Sequence, residues 1–163
     1  WQAVAIALAE SNNELSRIQR LVLLSPAQTF SWIELSGDLL SSILFTLNPV
    51  RDEAHESLKS LSTKAHMINS IYLDQYVAAL DSNPVPDLIT EMQPFSDLQL
   101  QKITLPTLVM IGDKDIMNNQ DSLERAKRML DKVQTMKLQD AGHFLTVDQA
   151  DQVNRTILDF LAN

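Results

Sequence analysis

The stretch Leu105-Pro-Thr-Leu-Val-Met-Ile-Gly-Asp-Lys-Asp115 decides how this chain is read. Its apolar run is short and unbroken, and Gly112 with a charged turn ends it. A strand buried on both faces of a parallel sheet has this pattern. Upstream, Arg17-Ile-Gln-Arg-Leu-Val-Leu-Leu-Ser-Pro26 repeats it, with Leu21 to Leu24 closed off by Ser25-Pro26. Downstream, Val133 to Leu138 alternates, which suits a less buried strand near a sheet edge. Helical patterns follow the second and third strands. Asn119 to Leu130 puts Leu123, Ala126, Met129 and Leu130 on one face, with Glu124 and Arg128 four apart on the other. Val147 to Leu161 aligns Val153, Ile157, Phe160 and Leu161, with Asp148 in the first turn, where the helix dipole favours an acid. Strand, helix, strand, helix implies right-handed parallel crossovers and an α/β fold of three parallel strands with flanking helices.

Residues 28–98 break that rhythm. Helical composition runs from Trp32 to Leu47, Glu53 to Leu61 and Lys64 to Leu80, punctuated by Asn48-Pro49, Asn83-Pro84-Val-Pro86 and Gln93-Pro94. So much helix between two buried strands exceeds a simple crossover and reads as an inserted helical cap. The expected organisation is therefore 1–27 as a helix and the first core strand, 28–98 as the cap, and 99–163 as the C-terminal α/β core. At the other end, Trp1-Gln-Ala-Val-Ala-Ile-Ala-Leu-Ala-Glu10 is helical in composition, apolar on nearly every side and uncapped, which predicts a buried helix entered in mid-element and hence a fragment.

Composition excludes several function classes. With 163 residues the chain is long enough for one domain with a real core, and 45% hydrophobic with 21% charged residues is an ordinary globular balance. A net charge of −8 and a pI near 4.7 give no electrostatic footprint for nucleic acid or an anionic membrane. No apolar run is long enough to span a bilayer, and the N-terminus lacks a signal-peptide pattern. With no cysteine there are no disulfides, thiolate zinc sites or Cys nucleophiles; the redox compartment stays undecided, and cytoplasmic is the expected location. The only glycines are Gly37, Gly112 and Gly142, and neither a P-loop nor a G-x-G-x-x-G turn can be built from them.

Two of those glycines mark the chemistry. Ile111-Gly-Asp-Lys-Asp115 and Gln139-Asp-Ala-Gly-His-Phe144 both lie where strands end, and in open α/β sheets ligands bind at that edge. A carboxylate on one such loop and a histidine on the next are placed to meet. The Asp would accept the imidazole Nδ1–H, fix the tautomer and stabilise the imidazolium formed in general-base catalysis. The structural alternative for His143 is a turn histidine capping the last helix. Asp113 is the alternative acid, Asp140 reads as a solvated turn carboxylate, and His55 and His66 have no metal-ligand spacing. Ser25 ends a strand before a proline, with no glycine to form an elbow, and is not a nucleophile candidate.

These motifs, Leu105 to Asp115, Asp140-Ala-Gly-His143 and Val153-Asn-Arg-Thr-Ile-Leu-Asp-Phe-Leu161, resemble the C-terminal portion of the α/β-hydrolase family. In that family a P-T-L-hydrophobic-G-x-x-D stretch carries the catalytic acid at its final Asp, and a G-H pair carries the base. The resemblance thus implies Asp115 as acid and His143 as base, and its spacing favours Asp115 over Asp113. Arg20 to Pro26 resembles the strand after the nucleophile helix, Trp1 to Glu10 that helix, and 28–98 the substrate-covering cap. The family's G-x-S-x-G elbow is absent from this sequence, so the resemblance implies that the nucleophile, Ser or the Asp of some relatives, and the oxyanion hole lie upstream. It implies a hydrolase of an ester or other small acyl-type substrate, with no metal or organic cofactor and with these residues inactive alone. A non-catalytic, ligand-sensing member of the fold is the alternative. Phe30, Trp32 and Phe144 are the expected substrate contacts, with Phe45 and Tyr72 as further pocket candidates; ordinary core packing is the alternative for Phe30, Trp32, Phe45 and Tyr72. In the family's sheet the strand at Leu21–Leu24 has a neighbour on each side. Without one of them, self-association through that edge or through the Trp1–Ala9 face is expected.

Overall fold

A computed structural model of the chain describes residues 1–11, 13, 16–34, 36–38, 54–82 and 92–162. The sheet forms where the sequence has its three runs. Strands β1 (Leu21–Leu24), β2 (Thr107–Gly112) and β3 (Val133–Leu138) pair in parallel in the order β1-β2-β3. Leu21 faces Thr107 across the first pair, and Thr107 faces Val133 across the second. The central strand β2 is buried at every position, which is why it reads as a continuous apolar run. β3 is buried only at Leu138, in keeping with its alternation. Among the described residues β1 and β3 are both edges.

Two apolar layers sandwich the sheet. On one face Leu21, Leu23, Val109 and Ile111 pack with Val4 and Ala7 of α1 (Gln2–Glu10) and with Leu123, Ala126 and Leu130 around α5 (Gln120–Met129). On the other, Leu108, Met110 and Leu138 pack with Leu145 of α6 (Leu145–Asp148) and with Val153 and Phe160 of α7 (Ala150–Ala162). The alternation of β2 side chains between the two clusters is the period of two of a pleated strand. Thr29, Phe30, Phe95 and Ile103 close the first cluster from the side. Arg125 clamps that corner, donating to the carbonyls of Phe30 (2.5 Å) and Phe95 (2.7 Å) and pairing with Asp97 of α4 (Asp97–Leu100) at 2.6 Å.

A third apolar cluster joins the helical segment to the sheet edge. Helix α2 (Ala54–Lys59) with the turn after it, a 3₁₀ turn (Ala65–Met67) and α3 (Ser70–Ser82) contribute Ala54, Leu58, Leu61, Ala65 and Leu73. Ile116, Met117 and Phe144, from the loops after β2 and β3, pack against it. The helices expected over Trp32–Leu47, with Phe45, and the breaks at Asn48-Pro49 and Asn83–Pro86 lie largely or wholly outside the described residues.

Four expectations are corrected. The helix at Trp1–Glu10 buries only Val4 and Ala7, and Ile6 is 57% exposed, because it packs through one face alone. Glu124 pairs with Lys127 rather than Arg128, at 2.8 Å and a spacing of three. The helix expected over Lys64–Leu80 breaks at Ile68-Asn69, where the Asn69 side chain accepts the Ile71 amide and starts α3. The helix expected over Val147–Leu161 is two helices: Asp148 turns inward, Gln149 leaves helical geometry (φ −138°, ψ 45°), and Leu161 is half exposed. Among the described residues no helix is long and apolar enough to cross a membrane.

The layers set an order of sensitivity. Leu108→Ala, on the central strand and 1% exposed, should lower unfolding stability by about 2–5 kcal/mol. Leu98→Ala, 75% exposed, should change it by less than about 0.5 kcal/mol in the same denaturant titration.

Candidate active site

The loops after β2 and β3 are held together by their backbones. The Asp113 amide donates to the Leu138 carbonyl at 2.8 Å and the Lys114 amide to Ala141 at 2.9 Å. In return the Ala141 amide donates to the Asp113 carboxylate at 3.1 Å. This approach requires a glycine, since a Cβ on Gly112 would lie 2.2 Å from the Ala141 carbonyl oxygen. Asp113, the alternative acid, is therefore a loop clamp, and no hydrogen bond joins it to His143 among the described residues. Asp140 is exposed and pairs with Lys114 at 2.9 Å, which lowers its pKa and raises that of the lysine.

Across these loops Asp115 meets His143. The imidazole Nδ1 lies 3.1 Å and 3.2 Å from the two carboxylate oxygens of Asp115. The Asp115 side chain is fully buried, whereas that of His143 is 19% exposed. Asp115 is fixed from its own loop as well, accepting the Met117 amide and the Asn118 side-chain amide, both at 2.9 Å. Burial pushes its pKa up, but the hydrogen bond and charge of His143 with the Met117 and Asn118 donors outweigh that and hold it below the ordinary aspartate value. With Nδ1 on the carboxylate, Nε2 makes no hydrogen bond among the described residues. Such a ring can take up a proton at Nε2 while the buried carboxylate stabilises the imidazolium.

Two cavities lie near the pair, and only the first has a member of it, Asp115, in its wall. One of about 230 Å³ is lined by Asp115, Ile116 and Met117 together with Glu34, Ser36 and Asp38. The other, about 510 Å³ and chiefly apolar, lies between the helical segment and the histidine loop and is lined by Leu58, Met67, Ile68, Tyr72, Tyr76 and Phe144 among others. Of the expected substrate contacts only Phe144 borders a cavity next to the pair. Phe30 is 1% exposed inside the first sheet cluster, because Arg125 holds its carbonyl against α5, so it is a core residue. Trp32 is 60% exposed and lines neither cavity. Met67, Ile68 and Tyr76 were not singled out from sequence as pocket residues; their only signal was apolar character within a helical insertion.

Ser25 follows β1 with φ 44° and a buried hydroxyl that has no partner, and no hydrogen bond links it to His143 among the described residues. His55 lies in α2, and His66 is exposed in the 3₁₀ turn. Among the described residues no group of three His, Cys, Asp or Glu is arranged to hold a metal ion.

Three parallel strands with flanking helices form part of the α/β-hydrolase fold, as superposition on solved structures shows. Naproxen esterase (carboxylesterase NP) from Bacillus subtilis superposes with a TM-score of 0.80 at 21% identity, over 97% of this chain and 55% of that one. Carboxylesterase CesB (YbfK) from the same species gives 0.77 at 25%, over 97% and 55%. The meta-cleavage product hydrolase CumD of Pseudomonas fluorescens IP01 gives 0.75 at 21%, over 99% and 61%. In sequence, Carboxylesterase YbfK of Bacillus subtilis (strain 168) is 27% identical over 154 residues, which is 89% of this chain and 50% of the relative. Uncharacterized carboxylesterase nap of the same strain is 23% identical over 151 residues, 88% and 49%. The chain thus spans about half the length of the curated relatives it matches. No family model matches it.

The lowered pKa of Asp115 fixes a pH dependence. A depressed carboxyl pKa contributes stability above the unfolded-state value, and that contribution is lost as pH falls through the folded-state value. Asp115→Asn should therefore cost about 1–3 kcal/mol at neutral pH. The gap to the parent chain should close in acid, where the carboxyl is protonated whether folded or not, as urea titrations across pH would register.

Proposed function

We propose that this chain supplies the acid and the base of a carboxylester hydrolase. One observation carries the reading: His143 Nδ1 spans both oxygens of the buried Asp115 carboxylate, leaving Nε2 for a substrate-side proton. The carboxylesterase relatives support it. His143 takes the proton of a serine hydroxyl as the oxygen attacks the ester carbonyl, then passes it to the departing alcohol. A water molecule, deprotonated by the same nitrogen, releases the acid and regenerates the serine. Asp115 holds the ring and stabilises its charged form throughout. The serine belongs to a G-x-S-x-G elbow outside these residues, as does the oxyanion hole. Residues 28–98 act as the cap, and Phe144 with the apolar cavity beside it takes the hydrocarbon part of a small ester.

The 163 residues alone should hydrolyse p-nitrophenyl acetate no faster than free imidazole. Joined to the segment that carries the nucleophile they should turn it over, and His143→Ala should then lower kcat by about 10²–10⁴-fold with the fold intact. An active His143→Ala enzyme would remove His143 from the mechanism, and a folded, joined protein that binds esters without turnover would favour the ligand-sensing alternative.

We also propose that the isolated chain self-associates. β1 has one open edge among the described residues, and α1 leaves Ile6 exposed beside it. Light scattering behind size exclusion should give a mass above 18.3 kDa, and a clean monomer with cooperative unfolding would contradict this.

A further inference from the structure

Asp148 is fully buried although it is an acid, and no step of the proposed hydrolysis uses it. A buried carboxylate costs several kcal/mol unless its oxygens are well supplied with donors. Here each oxygen has two. Oδ1 accepts from the Ser62 hydroxyl at 2.5 Å and the Lys64 amide at 3.0 Å. Oδ2 accepts from the Gly142 amide at 2.7 Å and the Thr63 amide at 3.2 Å. The Lys64 ammonium also donates to the Asp148 carbonyl. The carboxylate therefore ties the turn after α2 to the loop that carries His143.

The same turn grips that loop a second time. The Leu61 carbonyl accepts from the His143 amide at 2.7 Å and the Phe144 amide at 3.1 Å. Three consecutive amides, 142 to 144, are thus committed to one knot, one to Asp148 and two to Leu61. Gly142 admits this closeness, since a Cβ there would lie 2.5 Å from the Leu61 oxygen. The amides of residues 142 to 144 are gripped by a segment of the helical insertion, while the β2 loop holds the same loop at Ala141.

We infer that Asp148 is a positioning residue for His143, acting through the Gly142 amide and through the turn that presents the Leu61 carbonyl. The kinetic consequence rests on the hydrolase reading; the geometric one does not. Asp148→Asn keeps the size of the side chain but turns one acceptor into an amino group facing amide donors, so the knot loosens. A misplaced base costs rate more than binding.

The test has a spectroscopic arm and a kinetic arm. The proton shared between His143 Nδ1 and Asp115 should give a low-field proton resonance in the nucleophile-containing protein. Asp148→Asn should shift or broaden it away, while Leu100→Ala, a fully buried residue in a different cluster, should destabilise the protein and leave the resonance in place. With p-nitrophenyl acetate Asp148→Asn should lower kcat by about 10–100-fold with little change in KM. Should Asp148→Asn not fold, Ser62→Ala carries the test: it deletes the shortest of the four bonds and should move the resonance and kcat the same way to a smaller extent. A folded variant of either kind with an unchanged resonance and unchanged kcat, losing only thermal stability, overturns the inference. Loss of the resonance in a protein with no esterase activity at all would leave the positioning role standing and remove the hydrolase reading.

Discussion

At Gly112 the central strand passes so near the Ala141 carbonyl that any side chain would collide with it, and the remainder of the site follows from that contact. Because the strand end and the next loop touch through backbone, the Asp113 and Lys114 amides reach the carbonyls of Leu138 and Ala141. Residues 28 apart in sequence are then brought within one hydrogen bond, Asp115 to His143. Parallel pairing supplies the setting, since β2 and β3 run in register from Thr107–Val133 to Gly112–Leu138 and finish together. A carboxylate buried at such a place persists because His143, Met117 and Asn118 all donate to it, which more than offsets its desolvation.

The helical segment does more than rest on this edge. Its apolar cluster closes around Ile116 and Met117 from the acid loop and Phe144 from the histidine loop. Its turn at Leu61–Lys64 takes hold of the histidine loop through Asp148 and Leu61. Asp115 and His143 are therefore supported from two directions, by the sheet through Gly112 and by the helices through Gly142. The chiefly apolar cavity between helices and loop, walled by Tyr72, Tyr76 and Phe144, is a by-product of the same packing.

The central strand was legible because burial on both faces writes itself as an unbroken apolar run at Leu108–Ile111, whereas the like run at Leu21–Leu24 is, among the described residues, an edge strand that buries Leu21 and Leu23 and leaves Val22 and Leu24 half-buried. The meeting of Asp115 with His143 was legible because each follows a glycine that ends or follows a strand. Asp148 was misread as a dipole-stabilised acid in a helix. Its role depends on donors from Ser62, Thr63 and Lys64, more than 80 residues away, which no local pattern announces. Between pocket and core, the burial of Phe30 was undecided in sequence for the same reason: the Arg125 clamp beside it is a contact across 95 residues. The Trp1–Glu10 helix misled in another way, because composition reports how much apolar surface a helix has and not how much of it finds a partner.

In the proposed hydrolysis His143, held by Asp115, faces the reacting atoms through Nε2. The most direct measurement is a crystal structure of the polypeptide joined to its nucleophile segment and treated with diethyl p-nitrophenyl phosphate. The expected adduct carries a diethylphosphoryl group on a serine outside residues 1–163, with His143 Nε2 within hydrogen-bond reach of that serine oxygen or of a phosphoryl oxygen and Nδ1 still on Asp115. A phosphorylated residue remote from His143, or an imidazole turned away from Asp115 in the adduct, would contradict it.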